Sequence, residues 1–257
     1  MKFVLYVYAV TREAVTPDAV GVDGTPRFGV ANDDDIHAVF TPVSAEEFSQ
    51  DVIDRRAGDL EWLGAIGYRH QAVMADLMKK TAIVPLRAFT LFSSEEALRA
   101  YLAEQRALLS KTLDRIGGKQ EWTLRIELEP AVWSEALNGR VASLRDLQNE
   151  IAAASPGRAF LLRKKLDDEK KRASHAAEEE LVGEIEQAVL AKLGRETVAE
   201  SRQRRDGAFP QINVLLHRDE ESVLQELREE LAARYQHEGV TLSVSGPWPP
   251  YTFATMS

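Results

Sequence analysis

The sequence predicts an α+β protein of two domains: an N-terminal α+β domain over residues 1–118, and a ferredoxin-like domain over 119–257 with a long projecting helix and an aromatic, proline-rich tail. Three observations predict it. The run Phe3-Val4-Leu5-Tyr6-Val7-Tyr8-Ala9-Val10 is apolar on both faces, as a central strand covered from two sides must be. Gly117-Gly118 stops a long helical pattern and is followed by a cleanly alternating strand, Trp122 to Glu129, which marks a boundary between domains. The second half then reads strand, long helix, strand, helix, strand, the order of a ferredoxin-type sandwich with an enlarged first crossover.

The elements follow from local chemistry. Gly21 to Pro26 is a turn cluster around Asp23, and a second strand runs through Ile36-His37-Ala38-Val39-Phe40 after the acidic turn Asp33-Asp34-Asp35, read as solvated. Ser44 with Glu47 three residues on reads as a capping box for a short helix. A longer helix covers Asp59 to Lys80, with a stripe at Leu60, Leu63, Gly67, His70, Met74 and Leu77. Ile83 to Phe92 reads as one strand whose Pro85 confines it to an edge or bulge, and Ser93/Ser94 with Glu96 open a helix to Ile116.

After Pro130 the chain reads as helical to about Arg205, with a break at Ser155-Pro156-Gly157. Asp167 to Glu180 holds no large apolar residue, while Asp167/Lys171 and Asp168/Arg172 are spaced for i,i+4 pairs, so a long helix, or helical pair, is expected whose middle projects into solvent. Pro210 to His217 is a strand, Asp219 to Tyr235 a helix and Val240 to Val244 the last strand.

Composition limits the function. At 44% apolar and 28% charged, with no run of 18 apolar residues, the chain reads as a soluble globular protein without a membrane span. The apolar N-terminal run is too short for a span and lacks a cleavage region, so it reads as a strand and not a signal peptide. The absence of cysteine excludes disulfides, thiolate metal sites and cysteine nucleophiles, and favours an intracellular setting. A net charge of −9 argues against nucleic acid and against an anionic membrane as partners.

A search for reactive constellations yields no phosphate loop, no dinucleotide fingerprint and no His-Glu-x-x-His, so no cofactor, metal or catalytic residue is assigned. Histidines 37, 70, 175, 217 and 237 lie at least 20 residues apart. His70, on the apolar stripe of its helix, reads first as a core histidine satisfied by a hydrogen bond and second as a general base. Arg87, set among apolar residues, suggests a buried or interfacial ion pair, in its plainer form a structural pair with a carboxylate such as Glu61. The basic clusters Arg163-Lys164-Lys165 and Lys170-Lys171-Arg172 are interrupted by Asp167-Asp168-Glu169 and followed by Glu178-Glu179-Glu180, a mixed-charge helix face.

The closing segment Gly246-Pro247-Trp248-Pro249-Pro250-Tyr251-Thr252-Phe253 carries the most information. Its three prolines hold the chain near polyproline or edge-strand geometry, and its three aromatics must lie on their own domain or on a partner. It is either a clamp closing the C-terminal domain or a presented binding edge. This octapeptide resembles the tail of the GvpL/GvpF family of gas vesicle proteins. The likeness extends through Leu5-Tyr6-Val7-Tyr8, Gly21-Val22-Asp23-Gly24-Thr25-Pro26 and Asp59-Leu60-Glu61-Trp62-Leu63. It continues in His70-Gln71-Ala72-Val73-Met74, Val84-Pro85-Leu86-Arg87, Glu121-Trp122 and Ser155-Pro156-Gly157-Arg158-Ala159-Phe160-Leu161. Gln71 stands where the family usually has glutamate. Arg87-Ala88-Phe89-Thr90 stands where it usually has Arg-Phe-Gly-Thr, so the resemblance does not carry over a glycine-dependent turn here.

The resemblance implies an α+β N-terminal domain, a modified ferredoxin-like C-terminal domain, and a non-enzymatic accessory or minor structural role in gas vesicle assembly. It implies the gas vesicle shell protein and other gas vesicle accessory proteins as partners, and a cytoplasmic location at the vesicle, with the gas-facing side of the wall as the finer placement. Trp248, Pro249, Pro250, Tyr251, Phe253 and Arg87 are the candidate interaction residues. The edge strand near Pro85 and the helix around Asp167 to Glu180 are further contact surfaces. The alternatives are an enzyme with a site assembled near His70 and Arg87, and a nucleic-acid module.

Overall fold

The computed structural model describes residues 2–194 and 211–254. The chain divides into two compact units, one made of Met1–Glu121 with Pro247–Ser257, the other of Trp122–Gly246. The expected cut at 118/119 therefore shifts slightly, and the tail joins the first unit instead of closing the second. The reason is physical: its polar and aromatic side chains find their partners there, as described below.

In the first unit, β1 (Phe3–Thr11), β2 (Gly29–Asp33) and β3 (Ile36–Ser44) are followed by short helices α1 (Ala45–Phe48) and α2 (Gln50–Arg56) and by α3 (Leu60–Lys80). Two short strands, β4 (Ile83–Pro85) and β5 (Leu91–Phe92), precede α4 (Glu95–Ile116). The sheet order is β2-β3-β1-β4, with β5 also on β1, and β1 runs antiparallel to β3, β4 and β5. Central β1 is thus buried along most of its length, as its two-faced apolar run requires. Its register against β3 slips between Val7 and Ala9, a bulge at Tyr8. Residues of α3 pack on Tyr6 and Tyr8, whereas α4 lies along β2, β3 and β1 and contributes nothing to that cluster.

Caps fix the helix starts. Ser44 accepts from Glu46 N–H, Asp59 from Trp62 N–H and Ser94 from Ala97 N–H. Gly118, at φ 72°, takes the left-handed turn that ends α4. Three expectations change. The stripe of α3 is rotated: Ile66, His70, Val73, Met74 and Leu77 are buried, while Leu60 is 81% exposed. The strand expected over Ile83 to Phe92 is broken at Leu86 to Thr90, where Phe89 adopts φ 66°. The acidic turn is not merely solvated, since Arg106 pairs with Asp33 and Asp34 and Arg12 pairs with Asp35.

The second unit takes most of β6 (Lys119–Leu128), then α5 (Pro130–Arg140), α6 (Ala142–Ala153), α7 (Pro156–Leu193), β7 (Gln211–His217), α8 (Glu221–Tyr235) and most of β8 (Val240–Trp248). Its described sheet has the order β7-β6-β8, with β6 central. The helical expectation over 195–205 and the strand start at Pro210 lie outside the described residues. Helix α7 is one continuous 38-residue helix, but its middle does not project freely. Ala177 is buried and Ala173 packs on the core, because small side chains let α7 approach α5 while the Trp133 indole fills the space. Trp133 Nε1–H donates to Ser174 Oγ at 3.2 Å, and Ser174 donates to Glu178 at 2.9 Å.

Candidate functional site

Tyr6 and Tyr8 stand two residues apart on β1 and so point to one face of the sheet, where both are fully buried. Each phenol must find hydrogen-bond partners there or forfeit its hydration. Tyr8 meets Thr41 Oγ1 at 3.0 Å and accepts from Val22 N–H at 3.0 Å. That amide is supplied by the predicted Gly21–Pro26 turn, closed by Gly21 N–H to Thr25 O and by Gly24 at φ 80°. Tyr6 accepts from Phe89 N–H at 3.1 Å and lies 3.0 Å from His70 Nδ1. His70, 4% exposed on α3, reaches Tyr251 Oη with Nε2 at 3.0 Å.

Burial sets the protonation of this chain. It pushes His70 down to about 4, and among the described residues no carboxylate bonds to the imidazole to offset it. It pushes Tyr251 up to about 12, and Tyr8 likewise to about 12, where bonds from Thr41 and Val22 oppose the rise. Tyr6 is raised further, again chiefly by burial. All four groups are neutral near pH 7. Because the Tyr6 oxygen already accepts from Phe89, its proton is free for Nδ1, and His70 then donates from Nε2–H to Tyr251. The opposite tautomer would leave the Tyr6 hydroxyl hydrogen buried and unspent.

The tail is held at three further points, all in the first unit. Thr252 donates from N–H (2.9 Å) and from Oγ1 (2.6 Å) to the two carboxylate oxygens of buried Glu121. The Arg115 guanidinium donates to the Phe253 carbonyl. Tyr251 N–H and Ala254 N–H turn back to the carbonyls of Pro249 and Pro250. Beneath lies an aromatic cluster in which Phe89 stacks on Trp62 at 5.4 Å and meets Tyr6 edge-on at 6.1 Å. Phe89 stands where the resemblance leads one to expect glycine. The turn survives without it: Thr90 N–H and Oγ1 both donate to Arg87 O, and Phe89 holds its left-handed backbone by the amide bond to Tyr6 and the stack on Trp62.

The candidate residues divide accordingly. Pro249, Pro250 and Phe253 are buried, Tyr251 is half-buried, and Trp248 remains 42% exposed. Arg87 is exposed in the β4–β5 loop and forms no ion pair among the described residues, so the pair with Glu61 is not formed. No bond joins His70 to Arg87; the ring spends both nitrogens on phenols.

Sequence reasoning missed a polar centre in the second unit. Arg140, at the end of α5, bonds to Glu238 and to both oxygens of Glu184, and its guanidinium lies 5.7 Å from the Trp133 ring. Burial lowers the Arg140 pKa, but the bonds to Glu238 and Glu184 outweigh it and raise the group. Glu184 is lowered by its bond to Arg140 and also accepts from Tyr235. The signal was weak: Glu184 and Glu238 lie 44 and 98 residues from Arg140. The same unit holds a cleft of about 550 Å³ floored by Ile126, Leu128, Leu137 and Leu181, with Lys170 at its edge.

These features define an α+β protein whose buried polar side chains secure its own tail and helices. A profile of the gas vesicle synthesis protein GvpL/GvpF family matches residues 4–255, and the chain belongs to that family. It is 30% identical over 261 residues to gas vesicle protein L of a Streptomyces species, covering 97% of this chain and 92% of that one. It is 30% identical over 195 residues to gas vesicle protein L2 of Halobacterium salinarum, covering 72% and 69%. In fold it is similar to the crystal structure of GvpF from Anabaena, with a TM-score of 0.68 at 15% identity over 99% of this chain and 97% of that one. The GvpF of Microcystis aeruginosa gives 0.66 at 16% identity over the full length of both.

Proposed function

We propose that the protein is an accessory or minor structural protein of gas vesicle assembly, binding the small hydrophobic shell subunit and/or other accessory proteins, and that it works at the gas-facing side of the wall. The observation that carries this reading is the family match over residues 4–255. A subunit that exposes apolar surface before polymerising needs a soluble partner to prevent aggregation. An acidic protein with a net charge of −9 suits that task. Most of the tail serves its own unit, so the contact surface narrows to groups still exposed, Trp248 in the tail and Arg87 just after the β4 edge strand that ends at Pro85.

The test is a co-expression pull-down with the shell subunit, using the native chain and Trp248→Ala. Capture that is lost in the variant supports a shell-binding accessory and locates its contact. Capture by both keeps the function and moves the interface off the tail. Absence of capture by either removes shell binding and leaves other accessory proteins as the partners.

A further inference from the structure

One stretch of the second unit is unlike the rest of the chain. The sixteen residues from Ile151 to Leu166 hold four cations, Arg158, Arg163, Lys164 and Lys165, and no aspartate or glutamate, in a chain whose net charge is −9. They form the end of α6, the two-residue link Ala154-Ser155 and the first turns of α7. On α7 the inner positions Leu162 and Leu166 pack on the core, and Ala159 is buried. The outer face carries Gly157, Phe160, Leu161, Lys164 and Lys165 at spacings of i, i+3, i+4, i+7 and i+8, a continuous helical stripe.

This stripe is built backwards for a solvent face. Phe160 is 69% exposed and Leu161 is 67% exposed, side by side. Nothing lies within 4 Å of where a side chain on Gly157 would begin, so the helix surface there is flat and open. Arg163, Lys164 and Lys165 are exposed and form no ion pair among the described residues, while Arg158 pairs with Glu150. The first turn of α7 has no acidic residue and no side-chain cap, although the positive end of a helix favours both. Apolar side chains therefore share one exposed face with Lys164 and Lys165, which form no ion pair among the described residues, and Asp168 closes the stripe at its far end.

We propose that this face of α7 is a docking surface for an acidic amphipathic helix of a partner protein. The partner's apolar side chains would cover Phe160 and Leu161, and its carboxylates would meet Lys164 and Lys165. Charge complementarity selects this occupant over a lipid surface. A planar anionic leaflet also faces the acidic side chains beside the patch, Asp167, Asp168 and Glu169 among them, whereas a single helix can align its carboxylates with Lys164 and Lys165. The inference goes beyond the assembly role proposed above and does not depend on the shell subunit being the partner.

The experiment measures binding of the full chain to a labelled amphipathic peptide of about 18 residues with leucine on one face and glutamate on the other. A matched peptide carrying lysine in place of glutamate, and vesicles with about 30% phosphatidylserine, serve as comparisons. The expected result is binding to the glutamate peptide alone, weakened roughly 10-fold or more by Phe160→Ser/Leu161→Ser and by Lys164→Glu/Lys165→Glu, and weakened by salt. All four side chains are exposed, and unchanged circular dichroism checks that the variants fold. Absence of binding, binding that both variants retain, binding to the vesicles that either variant weakens, or self-association through this face of α7 would each overturn the proposal.

Discussion

In the first unit the buried polar centre is neutral: His70 lies between two phenols, and every bond is a shared proton between uncharged groups. In the second unit it is ionic: Arg140 sits between Glu184 and Glu238, with both Arg140 and Glu238 largely shielded from water. A neutral chain costs little to desolvate and can be built from groups that the sheet and helix bring together anyway. An ionic hub costs far more and holds only while every partner is present. Loss of a single group should therefore damage the second unit more, whereas acid should reach the neutral centre of the first through the His70 proton.

The largest expected effect comes from Arg140→Met. It strands two carboxylates, one of them with a side chain only 12% exposed, and should destabilise the protein by about 3–5 kcal/mol in denaturant unfolding. Adding Glu238→Gln should recover a substantial part, since the cost is that of an uncompensated charge. If Arg140→Met costs under about 1 kcal/mol, the hub is no different from a surface pair and the contrast collapses.

The second prediction tests the neutral centre. His70 is held down at about 4 against an ordinary value of 6.5. As pH falls, the unfolded chain takes the proton first, so stability is full above about 6.5, declines through the interval and levels off below about 4. The loss over that window should approach roughly 3 kcal/mol. His70→Gln should remove this component while leaving the contribution of the carboxylates, so the difference between the two unfolding profiles isolates it. Parallel profiles would mean that His70 takes up its proton without opening the chain of bonds.

Much of this architecture was legible before the fold was seen. The double glycine after Ile116 and the serine caps at Ser44 and Ser94 act within a few residues and stand where expected, although Ser44 accepts from Glu46 N–H and not from Glu47, and the Asp59 cap was not read from the sequence. His70 was readable as a satisfied core histidine because its place on an apolar stripe left few other options. Its partners were not readable, because Tyr6 and Tyr251 lie 64 and 181 residues away and only the folded sheet brings them to α3. The tail showed that it must dock but not where, since prolines and aromatics fix stiffness and area, not address. The alanine-rich middle of α7 misled for a related reason. Small side chains signal solvent exposure and close packing equally, and Trp133, 41 residues earlier, decides between them.

The smallest effect probes how the first unit tolerates a side chain at a glycine-like backbone. Phe89 sits at φ 66°, where a non-glycine residue carries strain, and offsets it with the Trp62 stack and the amide bond to Tyr6. Replacing Phe89 with alanine removes the stack and keeps the strain; replacing it with glycine removes both. Phe89→Gly should therefore be more stable than Phe89→Ala by about 1 kcal/mol, the reverse of their order in a helix, with both below the native chain. If alanine is the more stable, the Leu86–Thr90 turn relaxes once the ring is gone. The left-handed backbone would then be a consequence of the stack on Trp62, and Phe89 itself would set the geometry that delivers an amide to Tyr6.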